Sequence, residues 1–275
     1  MTDHYAVVGN PVAHSLSPQI HAAFARQTGQ DLDYVKLFAP LDAFTATVLE
    51  FRAKGGKGVN VTLPFKHEAW TLAEVRAGRA ADARAVNTLA FNDGKIVGHN
   101  TDGPGLVTDL EENLKCSIRE KRVLLMGAGG ATYGVMQPLL ETRPQEMVVA
   151  NRTPDKAREL VAHFHEFAHL AQRGLSARSY AELAGAQFDP VINATSAGLQ
   201  DEMPPLPAGI FATGGLAYDM VYGKNTPFMQ FAKKQGARTA NGLGMLVEQA
   251  AESFFIWRGV RPDTQAVIAA FRIEQ

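Results

Sequence analysis

Short apolar runs alternate with amphipathic stretches along most of the 275-residue chain. Residues 5–8, 123–126 and 147–150 are uninterrupted apolar runs, as expected of strands that are buried on both faces of a parallel sheet. Elsewhere apolar residues recur at helical spacing, for example at Ile20 and Phe24. This alternation of strands and helices predicts an α/β fold of two domains with mostly parallel sheets.

The same patterns, with Gly and Pro taken as breaks, predict the remaining elements. Ser17 and Pro18 are predicted as the N-cap and first residue of a helix, and residues 92–94 as a hairpin turn. Further strands are predicted at residues 33–38, 55–63, 190–195 and 215–222, and further helices at residues 40–53, 154–174, 225–236, 245–259 and 264–271.

A glycine turn follows the apolar run at residues 123–126. Gly127, Gly129 and Gly130 leave no Cβ between the backbone and a ligand, so a phosphate can approach the N–H groups at the start of the next helix. The usual GxGxxG pattern would place its third glycine at position 132, where this chain has Thr132. The turn therefore predicts a Rossmann-like, dinucleotide-binding domain.

The end of the next strand indicates which dinucleotide binds. An NAD site would place an Asp or Glu about 20 residues after the glycine turn, where its charge repels a 2′-phosphate. This chain instead has Asn151, Arg152 and Thr153 there, whose side chains attract a phosphate. The sequence therefore predicts NADP as the cofactor.

Composition and charge restrict the class of partner. Hydrophobic residues make up 46% and charged residues 20% of the chain. With a net charge of −1, the chain has no excess of positive charge that would attract nucleic acid or an anionic membrane. Cys116 is the only cysteine, no apolar run approaches the roughly 18 residues that span a bilayer, and residues 1–10 lack the pattern of a secretory leader. We therefore expect a cytoplasmic protein that binds a small molecule, with no nucleic-acid or membrane partner.

Candidate chemistry lies at breaks between the predicted elements of the first hundred residues. Lys66 follows the strand that ends at Pro64, and open α/β sheets place their ligands at the carboxyl ends of strands. Two further turns supply amide and carboxyl groups, and two serines lie beside a helix start, where a carboxylate can bind. Taken alone, each would be an ordinary surface, cap or turn residue. Together they suggest a polyhydroxylated acid as ligand. The side chains are Ser15, Ser17, Asn60, Thr62, Lys66, Asn87, Asn100, Thr101 and Asp102.

A second motif in the predicted helix 154–174 has a different explanation. Its sequence HEFAH matches the HExxH pattern of zinc proteases. His165 and His169 share a face, but that face is rotated away from the apolar stripe that contains Leu160 and Phe164, and no third ligand with a supporting motif follows. We expect a solvated helix side and no metal.

Several strings in register resemble the shikimate dehydrogenase family. They are GNPVAHSLSP, GVNVTLPFK, AVNT, NTDGPG, GAGGA, NRT, NATSAGL and NGLGMLVEQ, and they cover the chain from Gly9 to about Gly259. The resemblance implies reversible oxidation of shikimate to 3-dehydroshikimate with NADP, a reaction of aromatic amino acid biosynthesis. It further implies a substrate-binding and catalytic domain at residues 1–104 plus 240–275 and an NADP-binding domain at residues 105–239. We expect a monomer or a homodimer.

The resemblance also implies a role for individual residues, carried over by position. Lys66 and Asp102 would form the catalytic pair, with the assignment of Lys66 as acid or base left open. Substrate binding is implied for Ser15, Ser17, Asn60, Thr62, Asn87, Tyr222 and Gln249. Cofactor binding is implied for Gly127, Ala128, Gly129, Gly130, Ala131, Asn151, Arg152, Thr153, Thr195, Ser196, Gly244 and Met245.

Three residues depart from the family pattern. Ala22, Arg84 and Tyr133 stand where the family often has Asn, Gly and Arg, and none of them touches the predicted catalytic pair.

The first alternative function is that of an enzyme of the same kind that acts on quinate or an amino analogue, or that uses NAD. The second is a non-catalytic NADP-binding sensor, which would not need the Lys66–Asp102 pair. The third, a folate dehydrogenase, does not suit the serine pair or the NTDG string.

Overall fold

The computed structural model describes residues 2–170, 172 and 174–273. The chain forms two units, of which the first contains the described residues up to Gly105 and those from Leu246 onward, and the second runs from Leu106 to Met245. The predicted domains and the predicted helix at 154–174 include residues 1, 171, 173, 274 and 275, which lie outside the described residues.

The strands and helices alternate as the apolar pattern predicts. The strands are β1 (Asp3–Gly9), β2 (Leu32–Phe38), β3 (Gly56–Val61), β4 (Val75–Arg76), β5 (Thr88–Asn92), β6 (Lys95–His99), β7 (Arg122–Met126), β8 (Glu146–Ala150), β9 (Gly174–Arg178), β10 (Val191–Asn193), β11 (Leu216–Asp219) and β12 (Arg238–Asn241). The α-helices are α1 (Ser17–Thr28), α2 (Phe44–Ala53), α3 (Lys66–Leu72), α4 (Ala80–Ala83), α5 (Asp102–Thr108), α6 (Gly130–Glu141), α7 (Pro154–Leu170), α8 (Pro227–Lys234), α9 (Leu243–Arg258) and α10 (Thr264–Ile273).

The first unit contains a mixed sheet in the order β2-β1-β3-β5-β6-β4. Strand β1 is parallel to β2 and β3, whereas β5 is antiparallel to both β3 and β6. The hairpin between β5 and β6 turns at Asp93 and Gly94, which both have positive φ, as the predicted turn requires. Because β5 runs against its neighbours, its first residues lie at the edge of the sheet where β3 and β6 end. That edge carries the candidate active site.

The second unit contains six parallel strands in the order β12-β11-β10-β7-β8-β9. The chain passes from β7 outward to β9 and then returns to β10 on the other side of β7. Ligands bind at such a switch point in open α/β sheets, outside the carboxyl ends of the strands. The glycine turn follows β7 directly, so it lies at this point. Both sheets together confirm the predicted α/β class.

Several boundaries differ from those predicted. Helix α2 begins at Phe44 rather than at residue 40, and Leu16 rather than Ser17 occupies the N-cap position of α1, with no side-chain cap. Helix α7 ends at Leu170, because Gly174 already opens β9. Strand β9 is an edge strand whose partly exposed side chains lack a continuous apolar run, so the pattern did not reveal it.

Arg84 shows the structural basis of one departure from the family. It closes α4 in the left-handed conformation, with φ 45° and ψ 28°. A residue with a Cβ adopts this conformation at a cost of about 1–2 kcal/mol, whereas glycine adopts it without that cost. Glycine is therefore the residue that this backbone favours at position 84.

Among the residues that the structure describes, no helix combines the length and the apolar content that a membrane crossing requires.

An aromatic cluster in the first unit encloses a histidine. The His21 ring is fully buried and stacks on Tyr34 at 4.2 Å between ring centroids, and Phe254 and Trp257 lie within about 6 Å of it. Burial, only partly opposed by the polar side chain of Asn60, lowers the pKa of His21 to about 3. The folded protein therefore holds this ring in its neutral form.

This burial predicts a specific acid sensitivity. A folded pKa of about 3 lies below the ordinary 6.5, so neutral His21 favours the folded state above pH 6.5 and that contribution is lost as the pH falls from 6.5 towards 3. A His21→Phe variant keeps the stacked ring without the titration. Its free energy of unfolding relative to wild type should rise by about 1.4 kcal/mol per pH unit as the pH falls from roughly 6 to 4, as measured by urea unfolding.

A His14→Gln variant is the control, because His14 is exposed in the same unit. Its pH dependence should follow that of wild type. If the unfolding curves of His21→Phe and wild type shift in parallel with pH, His21 does not titrate as its burial requires.

Candidate active site

Lys66 and Asp102 form an ion pair at the edge where β3 and β6 end. Lys66 is the first residue of α3 and Asp102 the first residue of α5. The Lys66 Nζ lies 2.6 Å from Asp102 Oδ2, and the side chains are 18% and 7% exposed. Two residues that are 36 positions apart are thus brought together by strands that end at one edge of the sheet. The Lys66 side chain retains some access to solvent, while that of Asp102 is buried.

Asn87 links this pair to the rest of the site. Its Nδ2 donates to the second Asp102 oxygen, Oδ1, at 2.9 Å and to Thr101 Oγ1 at 2.8 Å, and Gln249 Oε1 lies 3.2 Å away. The Asn87 Oδ1 accepts from the backbone N–H of Thr101 at 2.8 Å. Both oxygens of the Asp102 carboxylate are therefore hydrogen-bonded or ion-paired. Because β5 is antiparallel, Asn87, just before it, lies beside the end of β3.

The Asn100 side chain forms hydrogen bonds with the backbone of this region. Its Oδ1 accepts from the Asp102 N–H at 3.1 Å, and its Nδ2 donates to the Ala85 carbonyl at 2.9 Å. The first bond is an Asx turn, which restrains the backbone at the start of α5.

Helix α9 contributes two polar side chains to the same cluster. Gln249 and Ser253 are one turn apart, so they share a face of the helix. The Ser253 hydroxyl lies 2.8 Å from Thr88 Oγ1 and 3.2 Å from Thr101 Oγ1. The C-terminal part of the chain therefore completes the polar cluster on strands from the N-terminal part.

Asn60 occupies the centre of the cluster on β3. It is 6% exposed, and its Nδ2 lies within hydrogen-bond distance of the Asn87 carbonyl, Thr88 Oγ1 and Ser253 Oγ. Its Oδ1 accepts from the Tyr34 hydroxyl at 2.8 Å. Thr62 follows the end of β3 and is partly buried, with its methyl group facing Gly9. Asn60 and Thr62 thus lie at the same strand end.

Ser15 and Ser17 lie together at the start of α1. Their hydroxyl oxygens are 3.1 Å apart, and the Ser17 N–H also lies 3.3 Å from Ser15 Oγ. Ser17 is 6% exposed, whereas Ser15 is partly buried. The structure therefore pairs the two hydroxyls that the sequence suggests for a carboxylate.

Tyr222 belongs to the second unit. It is partly buried and follows the end of β11. Its predicted contact with the substrate stays a prediction.

The glycine turn of the second unit has an open backbone. Gly127 has φ 110°, and its N–H donates to the Ala150 carbonyl. A Cβ placed on Gly129 or Gly130 would meet no atom within 4 Å, and no side chain caps α6. The first N–H groups of α6 are therefore accessible to an anion. Ala128 and Ala131 flank them and are partly buried.

Of the predicted phosphate-binding residues after β8, Arg152 and Thr153 are exposed and Asn151 is partly buried. Asn151 Nδ2 donates to the Thr153 carbonyl at 2.9 Å, which closes a turn. The Arg152 side chain is 86% exposed, and its Nη1 lies 3.8 Å from Glu202 Oε2. No carboxylate occupies the residue directly after β8, where an NAD-specific acidic residue would lie.

Of the other predicted cofactor residues, Thr195, Gly244 and Met245 have contacts within the second unit. Thr195 Oγ1 donates to Asn193 Oδ1 at 2.7 Å, and Ser196 is exposed. A Cβ at Gly244 would collide with the buried Asp109 carboxyl group, and Met245 packs in the core of the second unit. The local packing accounts for Gly244 and Met245 without a ligand, and their role in cofactor binding stays a prediction.

The two histidines of the HEFAH string are exposed on α7. Their rings are parallel at 6.4 Å between centroids. Among the described residues, no group of three or more His, Cys, Asp or Glu side chains is arranged to hold a metal ion.

Three residues of the polar cluster were not among the predicted site residues. Ser253 lies on a long helix, Tyr34 on an edge strand and Thr88 at a strand start. The spacing of Gln249 and Ser253 on one helical face is the signal that could have identified Ser253.

Family models match three segments of the chain. They describe a shikimate dehydrogenase substrate binding domain at residues 7–89, a shikimate/quinate 5-dehydrogenase at residues 109–199 and a shikimate 5′-dehydrogenase C-terminal domain at residues 242–270.

Curated relatives match along nearly their whole length. The shikimate dehydrogenase (NADP(+)) of Methylobacillus flagellatus is 58% identical over 98% of this chain and 99% of its own. The shikimate dehydrogenase (NADP(+)) of Nitrosospira multiformis is 59% identical over 99% of this chain and 98% of its own.

Solved structures share the fold. The crystal structure of shikimate 5-dehydrogenase from Thermus thermophilus in complex with NADP(H) and shikimate is 34% identical, with a TM-score of 0.88 and full coverage of both chains. An Ael1 enzyme from Pseudomonas putida is 50% identical, with a TM-score of 0.90 and 98% coverage of both chains. Because sequence and fold both match over nearly the whole chain, this chain belongs to the shikimate dehydrogenase family.

Proposed function

We propose that this protein is an NADP-dependent shikimate dehydrogenase. It oxidises shikimate to 3-dehydroshikimate with NADP and, in the biosynthetic direction, reduces 3-dehydroshikimate with NADPH. The observation that carries the proposal is the Lys66–Asp102 pair, 2.6 Å apart within a buried polar cluster at the strand ends of the first sheet. Relatives that are 58–59% identical carry the name of this activity.

The first unit supplies the substrate site in this proposal. Ser15 and Ser17 present two adjacent hydroxyls for the shikimate carboxylate. Asn60, Thr62, Asn87 and Gln249 bind the ring and its hydroxyls. A cluster of neutral hydrogen-bonding groups around one ion pair suits a polyhydroxylated acid, because such a ligand offers a donor and an acceptor at each hydroxyl oxygen.

Lys66 handles the proton at the reacting oxygen. Oxidation of an alcohol requires loss of its hydroxyl proton, and reduction of the ketone requires a proton donor at the same oxygen. The Lys66 amine serves both directions. Asp102 fixes the position of Lys66, and Asn87 fixes Asp102 by donating to its other oxygen. NADP supplies the hydride acceptor when it is bound.

The second unit supplies the cofactor site in this proposal. Gly129 and Gly130 leave the start of α6 open to a pyrophosphate, and Gly127, Ala128 and Ala131 shape the turn. Arg152, with Asn151 and Thr153 beside it, faces solvent where a 2′-phosphate would bind. Thr195, Ser196, Gly244 and Met245 complete this site. Glu202 lies near Arg152 and would compete with the phosphate.

The test of this function is nicotinamide absorbance on mixing the purified protein with shikimate or quinate, each with NADP and with NAD. We expect rapid reduction of NADP with shikimate and little with the other three combinations. Equal rates with quinate or NAD would contradict the proposed specificity. Tight NADP binding without turnover of any pair would contradict the enzymatic function and favour a binding module.

Replacement of Lys66 tests its role in proton transfer. A positioned acid or base typically contributes about 10²- to 10⁴-fold to the rate. We expect the Lys66→Met variant to lose at least about 100-fold in kcat with a modest change in the KM for shikimate.

The control is Lys57→Met, which removes one exposed lysine on β3 and should keep wild-type kcat. A Lys66→Met variant that retains more than half of wild-type turnover would remove Lys66 from the mechanism.

A further inference from the structure

The polar cluster around Asn60 extends to a tyrosine on the edge strand of the first sheet. Tyr34 lies on β2 and is 7% exposed. Its hydroxyl donates to Asn60 Oδ1 at 2.8 Å. None of the motifs that carry the family resemblance includes this residue.

This hydrogen bond determines which way the Asn60 amide faces. An amide oxygen only accepts and an amide nitrogen only donates, so the two ends are not interchangeable in a buried site. With Oδ1 bonded to the Tyr34 hydroxyl, Nδ2 faces three acceptors, namely the Asn87 carbonyl, Thr88 Oγ1 and Ser253 Oγ. Removal of the Tyr34 hydroxyl would therefore take a donor away from a buried carbonyl oxygen.

The position of Tyr34 is itself restrained. Its ring stacks on His21 with an interplanar angle of 7° and a centroid distance of 4.2 Å, and Trp257 lies 6.3 Å away. Rings packed in this way leave little freedom for the hydroxyl to move.

The Tyr34 hydroxyl is held in its protonated form. Burial raises the pKa of Tyr34 well above its ordinary value, so the hydroxyl keeps the proton that it donates to Asn60 Oδ1.

We propose that Tyr34 is a positioning residue, which acts through Asn60 to hold the hydrogen-bonding groups of the substrate site in their binding orientation. The inference rests on the proposed function, because that function assigns the site to shikimate. Tyr34 itself does not touch the reacting atoms. Its loss should therefore weaken substrate binding more than it slows the chemical step.

A Tyr34→Phe variant tests the proposal, because it keeps the stacked ring and removes only the hydroxyl. Loss of a buried hydrogen bond that leaves its acceptor unpaired predicts an increase of about tenfold in the KM for shikimate. The kcat should change by less than about threefold on the same reasoning, and the KM for NADP should not change. Steady-state kinetics with each substrate varied in turn measure all three constants.

A matched control is Tyr5→Phe. Tyr5 lies on the neighbouring strand β1, is 3% exposed and directs its hydroxyl to Arg258 rather than to the cluster. Its KM for shikimate should equal that of wild type. A wild-type KM in Tyr34→Phe, or equal increases in both variants, would overturn the inference.

A double-mutant cycle tests the route through Asn60. If Tyr34 acts through Asn60, then Tyr34→Phe should raise the KM much less in an Asn60→Ala background than in wild type. A full and additive effect in both backgrounds would overturn that route. If Asn60→Ala does not fold, the Tyr34→Phe variant alone is the test: its KM for shikimate should rise while its kcat changes little. Wild-type protein that does not oxidise shikimate would instead overturn the proposed function, and the inference with it.

Discussion

The buried carboxylate of Asp102 is the group on which the candidate site depends. A buried charge is costly unless its oxygens are paired, and here Lys66 occupies one oxygen and Asn87 the other. Lys66 follows β3, Asn87 precedes β5 and Asp102 follows β6, so all three come together only because β5 runs antiparallel between the other two strands. Loss of any one of these groups would leave a buried polar atom unpaired. The sheet topology and the ion pair therefore support each other.

In the second unit, the candidate site is positioned by parallel strands and a glycine turn. Its strands are all parallel, and the glycine turn lies where the chain changes direction across the sheet. Backbone N–H groups at the start of α6 require no charged side chain to attract a phosphate, so small residues are sufficient there. In the proposed sites, the first unit offers side chains that pair with one another, and the second offers open backbone and an exposed arginine. This difference matches a ring that needs many directed hydrogen bonds and a cofactor that carries phosphates.

The sequence predicted features that depend on local pattern. The apolar runs, the glycine turn and the hairpin at Asp93 and Gly94 were predicted because each is encoded within a few residues. Tyr34 and Ser253 were not, since a tyrosine in an edge strand and a serine in a helix carry no local signal and their partners lie 26 and up to 193 residues away. The edge strand β9 was missed because its partly exposed side chains form no apolar run. The position of Lys66 after a strand end made it a candidate, but its catalytic role, like the substrate-binding role of Gln249, needed the family resemblance.

A crystal structure of the protein with shikimate bound is the most direct test of the proposed substrate site. We expect the shikimate carboxylate to lie against Ser15 and Ser17 and a ring hydroxyl to lie within about 3 Å of Lys66 Nζ. Asn87 should remain bonded to Asp102 in that structure. Shikimate bound away from this edge of the first sheet, or bound there without contact to Lys66 and Asp102, would contradict the proposed site.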